Sequence, residues 1–204
     1  DLIGQVTEYT TPKPITTYGK SKLEAEQFLQ QKKKLPWLII RPTAVYGPRE
    51  TDIFSFFKMV NYHLETYIGF QEQLLTFIYV KDLARVMLDA TMSEEVQKAY
   101  FISDGKTYDT TDLGKYAKQF LAKKTTTIRV PIGLVKMVAA TAEAFGNLTG
   151  KMPTFNKEKV AELKARNWQC DISPAQNDLY FIPQYDLKKG LEETIGWYQK
   201  EGWL

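Results

Sequence analysis

The spacing of apolar side chains changes repeatedly along the chain, and each change marks an element. After a polar opening that carries Pro12 and Pro14, Tyr18–Lys34 is rich in good helix formers and ends on three lysines suited to the negative pole of a helix. Leu35-Pro36 breaks that helix, and Trp37–Ile40 is a short unbroken apolar run of the kind that fills a parallel strand buried on both faces. Ile53, Phe57, Val60 and Leu64 follow a helical period, Leu74–Val80 reads as strand, and Asp82 is placed to N-cap a helix carrying Leu83, Val86, Met87 and Ala90. Ala99–Ile102 predicts another strand. Leu113, Tyr116, Ala117, Phe120 and Leu121 predict an amphipathic helix, Thr125–Val130 is β-branched enough for a strand, and Pro131 opens an apolar helix to about Phe145. A charged helix over Lys157–Arg166, a strand-like piece near Cys170 and Ile172, and a last helix with Leu187, Leu191, Ile195 and Tyr198 complete the pattern.

Strand and helix alternate throughout, which predicts an α/β fold with a mostly parallel sheet. Such a fold, when it binds a dinucleotide, carries a glycine-rich turn after its first strand, yet none of the 12 glycines falls into that pattern; Gly146 and Gly150 come nearest. The composition, 44% apolar and 25% charged over 204 residues, is that of a soluble globular protein. No apolar run is long enough for a membrane span, because Lys136 and Glu143 interrupt the stretch from Ile132 to Phe145. A net charge of +3 does not argue for nucleic acid or an anionic membrane as partner. The lone Cys170 and lone His63 offer neither an internal disulfide nor a ligand set for metal, and a reducing cytoplasm is the expected location. The chain opens Asp1-Leu2-Ile3-Gly4, which suggests that the numbering starts inside a longer product.

The pair that most invites chemistry is Tyr18 and Lys22. Four residues apart on a helix, they share a face, and an ammonium beside a phenol favours the phenolate, the form that serves as a general base. The spacing recurs at Tyr9/Lys13 and Tyr185/Lys189, but the first spans Pro12 and the second opens a helix with no buried strand close behind it. Lys32–Lys34 reads as a solvated helix end, His63 as a lone imidazole on the polar side of the Ile53 helix, and the helix from Ile132 as packed against its own domain rather than seated on a membrane or partner. Arg49 suits either a substrate phosphate or a surface ion pair.

Context adds specificity. The strings Tyr18-Gly-Lys-Ser-Lys-Leu-Glu-Ala-Glu26, Ile40-Arg-Pro-Thr-Ala-Val-Tyr-Gly-Pro48 and Phe77-Ile-Tyr-Val-Lys-Asp-Leu-Ala84, with Pro183, Leu187, Gly190, Leu191 and Trp197 at the end, resemble the extended short-chain dehydrogenase/reductase superfamily, the sugar-nucleotide epimerase and dehydratase group. The resemblance covers essentially the whole chain but only the family's carboxyl-terminal part. It implies the end of a doubly wound parallel sheet (1–47 and 77–104) and a smaller mixed α/β substrate subdomain (48–76 and 105–204). It implies NAD or NADP as cofactor, with Tyr18 as acid/base and Lys22 on the nicotinamide ribose. Pro42, Thr43 and Val45 would line the nicotinamide, and Ala44, Arg49 and Arg129 the substrate, for which a nucleotide sugar is the class implied; a homodimer is among the expected states. The family's glycine-rich turn and catalytic Ser or Thr would lie farther upstream than the 17 residues before Tyr18 allow. The other expectation is a non-catalytic member or partner-binding fragment in which Tyr18 and Lys22 are relics.

Overall fold

The structure is a computed structural model that describes residues 4–149, 160 and 165–204. Strands and helices alternate as α1 (Thr17–Gln30), β1 (Leu38–Pro42), β2 (Ala44–Tyr46), α2 (Asp52–Asn61), β3 (Leu64–Ile68), β4 (Leu74–Leu75), β5 (Phe77–Tyr79), α3 (Val80–Met92), β6 (Lys98–Ile102), β7 (Tyr108–Asp109), α4 (Asp112–Leu121), β8 (Thr126–Val130), α5 (Ile132–Thr149), α6 (Ser173–Asp178) and α7 (Leu187–Lys200). The pairs β1–β6, β2–β5 and β3–β8 are parallel; the short pair β4–β7 is antiparallel. This is the mixed, mainly parallel α/β architecture that the alternation implies.

Two aromatic-rich layers organise the core. Tyr46, Phe57, Tyr79, Leu187, Leu191 and Tyr198 join β2, β5, α2 and α7, with Ala117 and Leu121 of α4 closing the cluster. Ile78, Val86, Tyr100, Ile102 and Phe181 form the second, which takes in Leu38 and Ile40 from one face of β1. On the other face of β1, Arg41 forms a two-pronged ion pair with Glu26, tying α1 to the sheet. Helix α7 approaches β2 so closely that a Cβ on Gly190 would stand 2.1 Å from the Tyr46 hydroxyl oxygen.

Several expectations are corrected. Helix α1 stops at Gln30, not Lys34; its C-cap Gln31 returns its amide to Gln27 and Leu29, and the three lysines lie beyond the end. The strand at Trp37–Ile40 is not buried on both faces: of β1 only Ile39 is buried. Leu64 does not extend the helix from Ile53 but opens β3, because α2 ends at Asn61 and the chain turns through His63 at φ 63. His63 therefore sits off the helix, its Nδ1 2.7 Å from the Lys124 carbonyl oxygen. Leu74–Val80 is two strands, broken at Thr76, whose hydroxyl donates to the Trp168 carbonyl, and Val80 already belongs to α3. The N-cap of α3 is Tyr79, not Asp82. Asp82 is buried in the first turn, where it accepts the amides of Gln184 and Tyr185 and pairs with Arg85. Near Cys170 there are single bridges, Val6 to Cys170 and Leu74 to Asn167, rather than a strand, and Ile172 is the N-cap of α6. The charged helix expected over 157–166 lies outside the described residues apart from Val160, which is helical, and 165–166, which are not.

Candidate functional site

Helix α1 starts at Thr16, whose hydroxyl caps the Gly19 amide at 3.0 Å. That places Tyr18 in the first turn with Lys22 one turn later, and the Lys22 ammonium lies over the Tyr18 ring, 5.4 Å from its centroid. Tyr18 is 68% exposed. A pair of this kind is not diagnostic by itself, since Lys189 stands 4.3 Å from the Tyr185 ring. The surroundings separate them: Tyr185 packs on Tyr79 with ring centroids 4.4 Å apart, and the Lys189 ammonium donates to the Gln184 carbonyl. Tyr185 is thus tied into the core wall, and Tyr18 is open to a ligand.

The other expected residues fall into two groups. Pro42, Thr43, Ala44 and Val45 follow one another at the carboxyl end of β1 and into β2, where the Thr43 amide extends the β1–β6 ladder by donating to Ile102 at 3.0 Å. In parallel α/β sheets this is the end at which ligands are held. Pro42 and Ala44 are exposed, while Val45 packs against the second core layer. The Thr43 hydroxyl is buried and has no hydrogen-bond partner among the described residues. A buried hydroxyl left unpaired is costly, and a ligand that hydrogen-bonds it removes that cost. Arg49 follows in an exposed turn at φ 72, which Tyr198 clamps by donating to the Gly47 and Glu50 carbonyls.

Arg129 is carried by a different strand pair. It belongs to β8, opposite Tyr67 of β3, and its guanidinium covers the Tyr67 ring at 5.6 Å. Tyr67 in turn donates to Glu65, a buried carboxylate that also accepts from Lys118 at 2.7 Å, Thr125 at 2.9 Å and Thr127 at 3.2 Å. Burial by itself pushes the Glu65 carboxyl up; the hydrogen bonds from Lys118, Tyr67 and Thr125 outweigh it and hold the group below its ordinary value. A second buried carboxylate, Asp104, is pushed up by burial although Tyr108 donates to it at 2.5 Å. Cys170 is buried, which raises its thiol to about 11 and keeps it protonated. Among the described residues no group of three His, Cys, Asp or Glu side chains could hold a metal ion, and no helix is long and apolar enough to cross a membrane.

A feature that reading the sequence missed is a cavity of about 560 Å³ beyond the carboxyl ends of β3 and β8, lined by Ile68, Phe70, Pro131, Ile132 and Arg166. Its signal was the Glu65/Tyr67 alternation followed by Gly69, masked because Leu64 completes a helical period with the residues before it.

A model of the RmlD substrate binding domain matches residues 3–180. The chain belongs to this family, within the extended short-chain dehydrogenase/reductase superfamily. The ceramide reductase of Caulobacter vibrioides is 26% identical over 170 residues, covering 82% of this chain and 52% of the relative. The UDP-glucose 4-epimerase of Vibrio cholerae is 27% identical over 189 residues, 89% of this chain and 53% of its own length. The chain thus spans about half the length of the curated relatives it matches. In fold it resembles the Thermotoga maritima UDP-glucose 4-epimerase solved with UDP-glucose, with a TM-score of 0.74 and 20% identity over 98% of this chain and 59% of that one. It also resembles the UDP-glucuronic acid 4-epimerase of Bacillus cereus solved with NAD, with a TM-score of 0.74 and 20% identity over 98% of this chain and 58% of that one. These neighbours share the Rossmann-like fold, which agrees with the α/β class expected from the alternation.

Proposed function

We propose that this chain forms the carboxyl-terminal part of an NAD(P)-dependent oxidoreductase of the epimerase/dehydratase kind, with residues 1–47 and 77–104 on the dinucleotide side and 48–76 and 105–204 on the substrate side. The observation that carries the reading is the Tyr18–Lys22 pair, an open phenol with an ammonium over its ring. The unpaired Thr43 hydroxyl, with Pro42 and Val45 beside it at the carboxyl end of β1, fits a carboxamide-bearing ring. When bound, the nicotinamide takes up or returns a hydride. In the oxidising direction Tyr18 takes the proton of the substrate hydroxyl at its Oη while the carbon loses hydride; in the reverse direction it returns that proton to the keto oxygen. Lys22 holds a positive charge over the Tyr18 ring and donates to ribose hydroxyls. Ala44 and Arg49 are the residues nearest in sequence to contact substrate. By their names the relatives act on ceramide and on UDP-glucose, so the shared demand is a hydroxyl or carbonyl group beside the tyrosine, and nucleotide sugars are one class that meets it.

The test uses the protein in the full-length form this reading implies, with a dinucleotide-binding part ahead of this chain. Titration with NAD(H) and NADP(H), followed by quenching of tryptophan fluorescence, is expected to show Lys22→Ala weakening affinity by about tenfold, the loss of roughly one charge-assisted hydrogen bond, and Tyr18→Phe leaving it unchanged. Unchanged affinity in Lys22→Ala would overturn the cofactor role. A partner-binding reading is favoured by one observation, that α1 buries none of its own residues, and it expects neither substitution to alter dinucleotide binding.

A further inference from the structure

Helix α1 carries Tyr18 and Lys22 yet buries none of its own residues. A helix of 14 residues is marginal in water unless an apolar face packs against its neighbours, so its place on the sheet depends on individual contacts. Its half-buried stripe is Gly19, Leu23, Glu26 and Leu29, and on that stripe Glu26 reaches the sheet. Arg41 of β1 donates to it through two nitrogens, Nε to Oε1 at 3.0 Å and Nη2 to Oε2, with the two side chains 18% and 19% exposed. An ion pair this far out of water adds little net stability, because each partner gives up hydration. What the planar, two-pronged arrangement does supply is one distance and one direction.

The same rung of the sheet holds the segment that leads into α1. Arg41 stands opposite Phe101 of β6, its guanidinium lies 5.3 Å from the centroid of the Phe101 ring, and the Phe101 amide donates to Glu8 Oε1 at 3.0 Å. Glu8 and Glu26 thus bracket Tyr18 in sequence and meet the sheet at one place. From Glu26, Lys22 lies one helical turn back along α1 and Tyr18 two turns back, about 6 and 12 Å. From Arg41, Thr43 lies two residues on along the chain, about 7 Å. A tether at this rung sets how the phenol and the ammonium stand relative to the end of β1 where Pro42 and Thr43 sit. Beyond the helix the Lys33 carbonyl accepts from Gln97 Nε2 at 2.5 Å, which holds the chain after α1 and not the turns that carry Tyr18 and Lys22.

We propose that Glu26 and Arg41, with Glu8 as a second hold, are positioning residues that fix the height and rotation of α1 on the sheet and so present Tyr18 and Lys22 to the carboxyl end of β1. The inference rests on the oxidoreductase reading for what those two residues do there. Hydrogen exchange of the 204-residue chain, followed by mass spectrometry, tests the tether without cofactor or turnover. Arg41→Lys keeps the charge and changes no residue of α1, and Glu26→Gln swaps residues of nearly equal helix propensity, so neither alters the helix's own tendency to form. In both variants the amides of α1 are expected to exchange about tenfold faster, the loss of roughly one charge-assisted hydrogen bond, while those of β2 and α7 keep their rates. Unchanged rates in α1, or equal acceleration in α7, would overturn the proposal, the second by making the pair a general stabiliser. In the full-length form, Arg41→Lys is expected to weaken dinucleotide affinity about fivefold when Lys22 is present and to add nothing to Lys22→Ala, because it acts through that ammonium. No weakening, or losses that simply add, would contradict the positioning role. Lys22→Ala without effect on affinity would overturn the cofactor reading instead, and the exchange rates would still decide the tether.

Discussion

At the scale of single residues, the chain separates groups that carry structure from groups left open. Glu65 is held by four donors, and the strongest of them, Lys118, is the one whose loss leaves a buried charge uncompensated. Lys118→Met is expected to lower unfolding free energy by about 2 kcal/mol, less than for a fully buried pair because the Lys118 side chain is partly in water. Glu65 is held below its ordinary value of 4.5, so its contribution is complete above that value and is lost as pH falls through the folded-state value beneath it. Urea unfolding of both proteins should therefore show the gap at neutral pH and its closure as pH falls below the ordinary value through the lowered folded-state one; a gap that persists unchanged in acid contradicts the ionised carboxylate. Tyr18 and Lys22 were legible from sequence because a spacing and its flanking strings name them. Glu65 was not, since an isolated acid in a five-residue strand carries no local signal that four donors converge on it.

At the scale of elements, close approach decides which glycines matter. Both Gly190 and Gly196 lie in α7, but a Cβ at Gly190 would meet the Tyr46 ring at 2.7 Å, and at Gly196 it would meet nothing within 4 Å. The Tyr46 ring is buried among Phe77 and Tyr79 and has no room to move. Gly190→Ala is expected to destabilise by about 3 kcal/mol through overpacking, whereas Gly196→Ala is expected to stabilise by about 0.5–1 kcal/mol by removing backbone freedom from the unfolded chain. Thermal melts of the two variants check this, and equal shifts would contradict the packing of α7 on β2. Element types were largely legible because α4 and α7 carry clean periods and β8 is rich in β-branched residues. Two of the misplaced boundaries share one cause: residues of one element happen to continue the pattern of the last. Leu64 continues the period of α2 past the turn at His63, and Leu74–Val80 reads as one run because neither the break at Thr76 between β4 and β5 nor the start of α3 at Val80 interrupts it.

At the scale of the whole molecule, the two ends of β1 and its flanks differ in how finished they are. Among the described residues β1 pairs on one side only, with β6, and α1 beside it buries no residue while Ile15, Phe28 and Leu35 stand exposed. An open parallel edge flanked by uncovered apolar groups is a template for pairing. Light scattering of the 204-residue chain at two concentrations is expected to show mass rising with concentration, and Phe28→Lys, at an exposed position of α1, is expected to suppress the rise; a constant monomer would mean that the edge is already protected. The alternation of strand and helix made the α/β class legible, and the strings around Tyr18, Pro42 and Asp82 made the superfamily legible. The cavity was not, because it is assembled from β3, the turn after it, the start of α5 and Arg166, positions that lie far apart in the chain.

The central claim is that Tyr18 moves the substrate proton. The direct measurement is steady-state turnover of the longer protein with Tyr18→Phe, alongside dinucleotide titration of the same variant. Removing one hydroxyl while keeping the ring is expected to lower kcat by about a hundredfold or more with dinucleotide affinity intact. Turnover equal to that of the unsubstituted protein would contradict the assignment.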